Sequence, residues 1–221
     1  MPPEPRPVPR FAAEPPQEEQ PHGRWEARLR AELLSSLAAL QDSEPDLGDP
    51  GDVLWYPDRS WHGRTYVPAT CATAPGYELF GYVRFVAAGD SGEPREFSSH
   101  LDFTDQTAAR NPDWQLDLCD EVVGSWRGEG ASAAMTLVWG HPLVAGGRVV
   151  CAELGGLTVD QCVLTSERFT LLAPDDYRHD LLEVALYDGR GRELARESLY
   201  AGQDEEAGGS LQDEQTNSEP Q

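Results

Sequence analysis

The residues best equipped for chemistry fall into two groups. In the first, His100-Leu-Asp102 sets an imidazole and a carboxylate two positions apart, with His179 and Arg190 further along the chain. Such a set matches a two-His-one-carboxylate metal centre with a cation to hold a substrate carboxylate. Alternation opposes it. Phe97, Leu101 and Phe103 take the inward face of this strand and turn His100 and Asp102 to the other side, whereas the metal ligands of a barrel enzyme face inward. In the second group, the segment from Leu54 to Tyr66 sets Trp55, Tyr56, Trp61, His62 and Tyr66 beside Arg59 and Arg64. Aromatic faces next to guanidinium groups recognise sugars, anions and peptides by stacking and paired hydrogen bonds. The same residues have a structural use, with rings anchoring a long connection on a sheet and arginines paired to surplus acids.

Other chemistry is excluded or weakly marked. All 17 basic side chains are arginine, and isoleucine is also absent. Both gaps fit the codon usage of a GC-rich, bacterial genome. Without lysine there is no Schiff base, no P-loop lysine and no lysine general base. Cys71, Cys119, Cys151 and Cys162 are widely spaced without a Cys-x-x-Cys pair, and most sit among strand-like apolar residues. Buried reduced thiols are expected rather than zinc or disulfides. The acid-rich runs 113–121 and 175–180 offer carboxylates, but acid–base work needs two of them in different environments across a cleft. Asp117, Asp120 and Glu121 read as a solvated strand face. No metal or cofactor is expected.

Net charge narrows the partners. The formal charge is −22, and residues 23–201 alone hold 29 acids against 15 arginines. Nucleic-acid backbones and anionic membranes are disfavoured by that field, while a protein or a small polar ligand is compatible with it. No apolar run is long enough for a membrane span, and the N-terminal segment has no apolar signal core, so a cytoplasmic location is expected.

The elements that must position these residues follow from periodicity. Residues 1–22 are rich in Pro and Glu and residues 202–221 carry six acids and no base; both read as disordered tails. In the span 24–41, Trp25, Leu29, Leu33, Leu37 and Leu40 form one apolar stripe, which predicts an amphipathic helix. Beyond it the pattern becomes short strands: 77–86, apolar on both faces, then strands around 97–104, 114–118, 135–139, 148–154, 162–165 and 168–172. A hairpin over 181–187 and 193–200 turns through Asp188-Gly-Arg-Gly-Arg192, and a second is expected at Ala145-Gly146-Gly147. Gly124-Ser-Trp126 is similar to the Gly-x-Trp pair of lipocalin-like barrels, but it lies past the middle of the chain, so a glycine-rich strand end or bulge is the simpler expectation.

The expected object is a mainly β domain over residues 23–201, an antiparallel sandwich or partly open barrel of about eight or nine strands with one leading helix. The expected function is a non-catalytic binding or accessory module using the surface of Trp55, Tyr56, Arg59, Trp61, His62, Arg64 and Tyr66. The alternative is a small metal-dependent β-barrel enzyme using His100, Asp102 and His179.

Overall fold

The computed structural model describes residues 25–44, 47–87, 93–128, 131–175 and 181–199. The expected disordered tails, His179 and the acidic run after Asp175 lie outside these residues. The helix forms as its stripe predicts. It spans α1 (Glu26–Ser43), with Leu29, Leu33 and Leu37 buried.

Strands follow in chain order. They are β1 (Leu54–Trp55), β2 (Arg59–Trp61), β3 (Arg64–Ala72), β4 (Glu78–Val86), β5 (Arg95–Thr104), β6 (Leu116–Gly128), β7 (Ala131–Pro142), β8 (Gly147–Leu154), β9 (Leu157–Val163), β10 (Phe169–Asp175), β11 (Leu182–Asp188) and β12 (Glu193–Ser198). They make three antiparallel sheets. The first runs β1-β3-β4-β5 with β2 also on β3, the second β10-β7-β6, and the third β12-β11-β8-β9. The architecture is mainly β and sandwich-like. It is not a closed barrel.

Two faces of the second sheet are buried, which makes it the middle layer. Leu116, Val138, Phe169, Leu171 and Ala173 pack on Val150, Ala152, Val184 and Leu186 of the third sheet. Met135, Leu137, Trp139 and Leu172 pack on Tyr66 and Tyr82 of the first sheet, together with Tyr56. The far side of the first sheet carries the helix, where Leu29 and Leu33 meet Val67, Ala69 and Val83, and Phe97 and Leu101 join them. Polar contacts add direction to this docking. The Ser99 hydroxyl of β5 donates to the Glu32 carbonyl at 2.9 Å and meets the Ser36 hydroxyl at 2.7 Å.

The extra strands, β1 to β3, arise in residues 54–72, of which 54–66 read as a loop-like connection. β3 is buried along most of its length, so it lacks the alternation that marks a half-exposed strand, and Pro68 sits in its middle. Proline is tolerated there for a local reason. β2 pairs with β3 at Arg59–Tyr66 and β1 pairs at Trp55–Ala69, so Pro68 falls where the neighbouring chain arches away between the two pairings. The Tyr56 amide reaches the Pro68 carbonyl at 3.0 Å, and no ladder bond requires the missing N–H.

The hairpin expected at 145–147 is instead a crossing, because β7 ends in the second sheet and β8 begins in the third. The tight glycine turn lies ten residues later. Gly155 (φ 56°) and Gly156 (φ 78°) join β8 to β9 through the two-residue geometry that needs positive φ at both positions. The last hairpin forms as expected, with the Asp188 carboxylate accepting the amides of Arg190 and Arg192 at 2.8 and 3.0 Å.

One side chain ties the three sheets. Arg59 on β2 is 2% exposed. Its Nε donates to the Thr170 carbonyl of β10 at 2.8 Å, and a terminal nitrogen donates to the Gln161 carbonyl of β9 at 3.0 Å. That nitrogen also lies 3.2 Å from Asp160 Oδ2, and the same oxygen accepts the Leu172 amide at 2.9 Å. A planar, permanently charged fork suits this arrangement and a lysine ammonium does not. Removing one member of a buried pair strands the other charge, so Arg59→Met is expected to cost about 3–5 kcal/mol in urea unfolding. Arg59→Lys should recover little of that loss. A combined Arg59→Met, Asp160→Leu protein should be more stable than Arg59→Met alone.

Candidate functional site

The aromatic and arginine segment divides into an anchored part and a presented part. Trp55, Tyr56, Arg59 and Tyr66 are buried. Trp55 packs in the helix-facing core. Tyr56 and Tyr66 lie between the first and second sheets, where the Tyr56 hydroxyl meets the Thr70 hydroxyl at 3.2 Å. These four cannot form a contact surface as they stand, because their rings and guanidinium are already enclosed. Trp61, His62 and Arg64 remain, at the tip of the β2–β3 hairpin.

That tip has a defined shape. Trp61 pairs with Arg64 across a two-residue turn of His62 (φ 50°) and Gly63 (φ 72°). The half-buried Trp61 ring stacks on the exposed His62 ring, with centroids 4.1 Å apart and planes 19° apart. Beneath the indole lies Gly124 of β6, at a register shift between Val122 and Gly124. A Cβ on Gly124 would sit 2.5 Å from the indole. The strand is irregular at this expected glycine, and the missing side chain makes room for the ring. Arg64 reaches Glu96 at 3.5 Å, both partly exposed. Glu96 has φ 57° beside the irregularity between β4 and β5, so two non-glycine residues in left-handed backbone flank one face.

The His100-x-Asp102 group is oriented as alternation predicts. Phe97, Leu101 and Phe103 pack under the helix, and His100 faces the opposite way, tilted over Tyr82 at 5.9 Å. Its Nε2 lies 2.9 Å from Glu121 Oε1. Asp102 Oδ1 accepts the amide of Phe103. Among the described residues, no three His, Cys, Asp or Glu side chains converge as metal ligands, and His179 lies outside them. The four cysteines are free thiols, three of them buried.

A polar cluster between the first and second sheets carries the clearest electrostatic perturbation, and neither strand pattern announced it. Asp117 was expected on a solvated face, yet its carboxylate is only 12% exposed and lies 3.9 Å from His141. Desolvation raises its pKa and His141 opposes that rise. Glu78, at the start of β4, is pushed up to about 7, first by desolvation and then by the charge of Asp117, against a hydrogen bond from Thr70. Cys119 is raised well above the usual thiol range by desolvation and by Glu78, Asp117 and Asp120, which keeps it protonated and a poor nucleophile. A lone acid inside the apolar run 77–86 was the available signal for Glu78.

The chain matches no protein-family model, no curated protein and no solved structure.

The Glu78 carboxyl sets a pH dependence. Its folded pKa lies above its unfolded value, so its contribution to stability is complete below the ordinary carboxylate range and is lost as pH rises through about 7. Glu78→Gln should therefore raise the thermal midpoint over wild type at pH 8 and leave it nearly unchanged at pH 4.5, as read by circular dichroism at both pH values.

Proposed function

We propose that this chain is a non-catalytic binding or accessory module that engages a protein or a small polar ligand through the Trp61–His62–Arg64 hairpin tip. The observation that carries this reading is the stacked Trp61–His62 pair, seated on Gly124 and held in left-handed backbone at the turn. Asparagine or glycine would occupy a left-handed turn position more easily. A bulky ring retained there, stacked and exposed, is a preorganised contact of the kind that loses little entropy on binding. Trp55, Tyr56, Arg59 and Tyr66 support the reading indirectly, because they fix the hairpin to the sheets behind it.

No helix among the described residues is long and apolar enough to cross a membrane. The negative charge of the chain favours a partner whose contact surface is neutral or basic.

Stability and recognition are expected to separate at this tip. His62→Asn should hold or raise the thermal midpoint, since it suits the turn, and should lower recovery of a partner captured from the native organism by about tenfold or more. Gly124→Val tests the same surface from beneath, because its side chain must displace the indole. Unchanged capture by both folded variants would remove the hairpin tip from the function.

A further inference from the structure

A concavity separate from the hairpin tip lies where the sandwich fails to close. Strand β6 is an edge of the second sheet and β12 an edge of the third, and the two do not pair. Between them is a cleft of about 300 Å³. Trp114, Leu116, Leu118 and Leu199 give it an apolar lining, and Asp120 and Glu197 add carboxylates. No basic side chain is among its described lining residues. Glu197 Oε1 accepts the Gln115 amide at 3.4 Å, a cross-link at one end of the seam. The cleft lies on the opposite face of β6 from the Trp61 contact, since Leu116 and Leu118 pack toward the third sheet while Cys119 and Val123 pack with Trp61 toward the first.

Size and charge together narrow the occupant. The volume falls at the lower end of the roughly 300–1,000 Å³ range of small-molecule sites. Its apolar lining gains from covering an apolar body, and the Trp114 ring offers a face for an aromatic group or a cation. The two carboxylates, in a chain of formal charge −22, repel anions and favour a positive group. Residues 202–221, which follow soon after Leu199, carry six acids and no base, so the chain's own C-terminal segment has the wrong sign for this site.

We propose that the β6–β12 cleft binds a small organic cation with an apolar body, of the arylalkylammonium class, with the ring against Leu116 and Leu118 and the ammonium facing Asp120, while Glu197, held at the Gln115 end of the seam, adds negative potential at longer range. The site does not depend on the hairpin tip.

Calorimetric titration of the full chain tests this, using 2-phenylethylammonium as the probe. Its neutral analogue 2-phenylethanol, the anion 3-phenylpropionate and the body-less cation methylammonium separate the two sources of affinity. The expected result is saturable one-to-one binding of phenylethylammonium with Kd of about 1 mM or tighter. The alcohol and the carboxylate should bind at least about tenfold more weakly and methylammonium without saturation. Asp120→Asn with Glu197→Gln should weaken phenylethylammonium by about tenfold, while His62→Asn leaves it unchanged. The proposal is overturned by no saturable binding, by equal binding of the alcohol, by methylammonium competing at equal concentration, or by an affinity indifferent to the two carboxylates.

Discussion

The Arg59 guanidinium and the Asp160 carboxylate are the constraint on which the arrangement of sheets depends. Strands β9 and β10 belong to different sheets, and where they diverge each presents a carbonyl, at Gln161 and Thr170, that accepts from Arg59. Asp160 takes the Leu172 amide on the same site. Without the arginine, the Gln161 and Thr170 carbonyls would each lose a donor and Asp160 its counter-charge. Burial raises the Asp160 carboxyl, and the charge of Arg59 then the amides of Leu172 and Gln161 oppose that rise, which is the balance expected when an ion pair is taken out of water. Hydrophobic packing alone does not choose one angle between stacked sheets. A fork with fixed donor directions does.

The hairpin that supplies Arg59 also supplies the exposed tip. Arg59 points into the sheet junction, and Trp61 and His62, two and three residues on, reach the surface over Gly124. A rigid root and a presented end are thus parts of the same strand, which is how a small β module can offer a preorganised contact without a long loop. Electrostatic order elsewhere follows a similar economy. On the outer face of the third sheet Arg196 holds Glu153, Glu183 and Glu193 at 2.6 to 3.0 Å, so one arginine gathers three of the surplus acids.

The sequence makes some of this legible and conceals the rest for identifiable reasons. The helix could be read because its leucines repeat with the helical period and one face is dry. Strands with one wet face, such as β5, could be read from alternation, including the outward turn of His100 and Asp102. β3 could not, because burial on both faces erases alternation and Pro68 argues against a strand unless the gap between β1 and β2 is known. The unusual setting of Arg59 and Arg64 among aromatics was visible, but the buried partner of Arg59 lies about a hundred residues away. The inward placement of Asp117 depends on a sheet stacking that no local pattern encodes. The cleft between β6 and β12 is likewise a product of two edges that meet only in the fold.

Hydrogen exchange at the Leu172 amide is the most direct measure of whether the Arg59–Asp160 pair unites the sheets, because that amide donates to the very oxygen Arg59 holds. In the Arg59→Met protein the account predicts that Leu172 protection, normalised to that of buried amides in α1, falls by about a hundredfold as the junction opens locally. Unchanged relative protection at Leu172 would contradict it, and would leave the stacking of the three sheets to apolar packing alone.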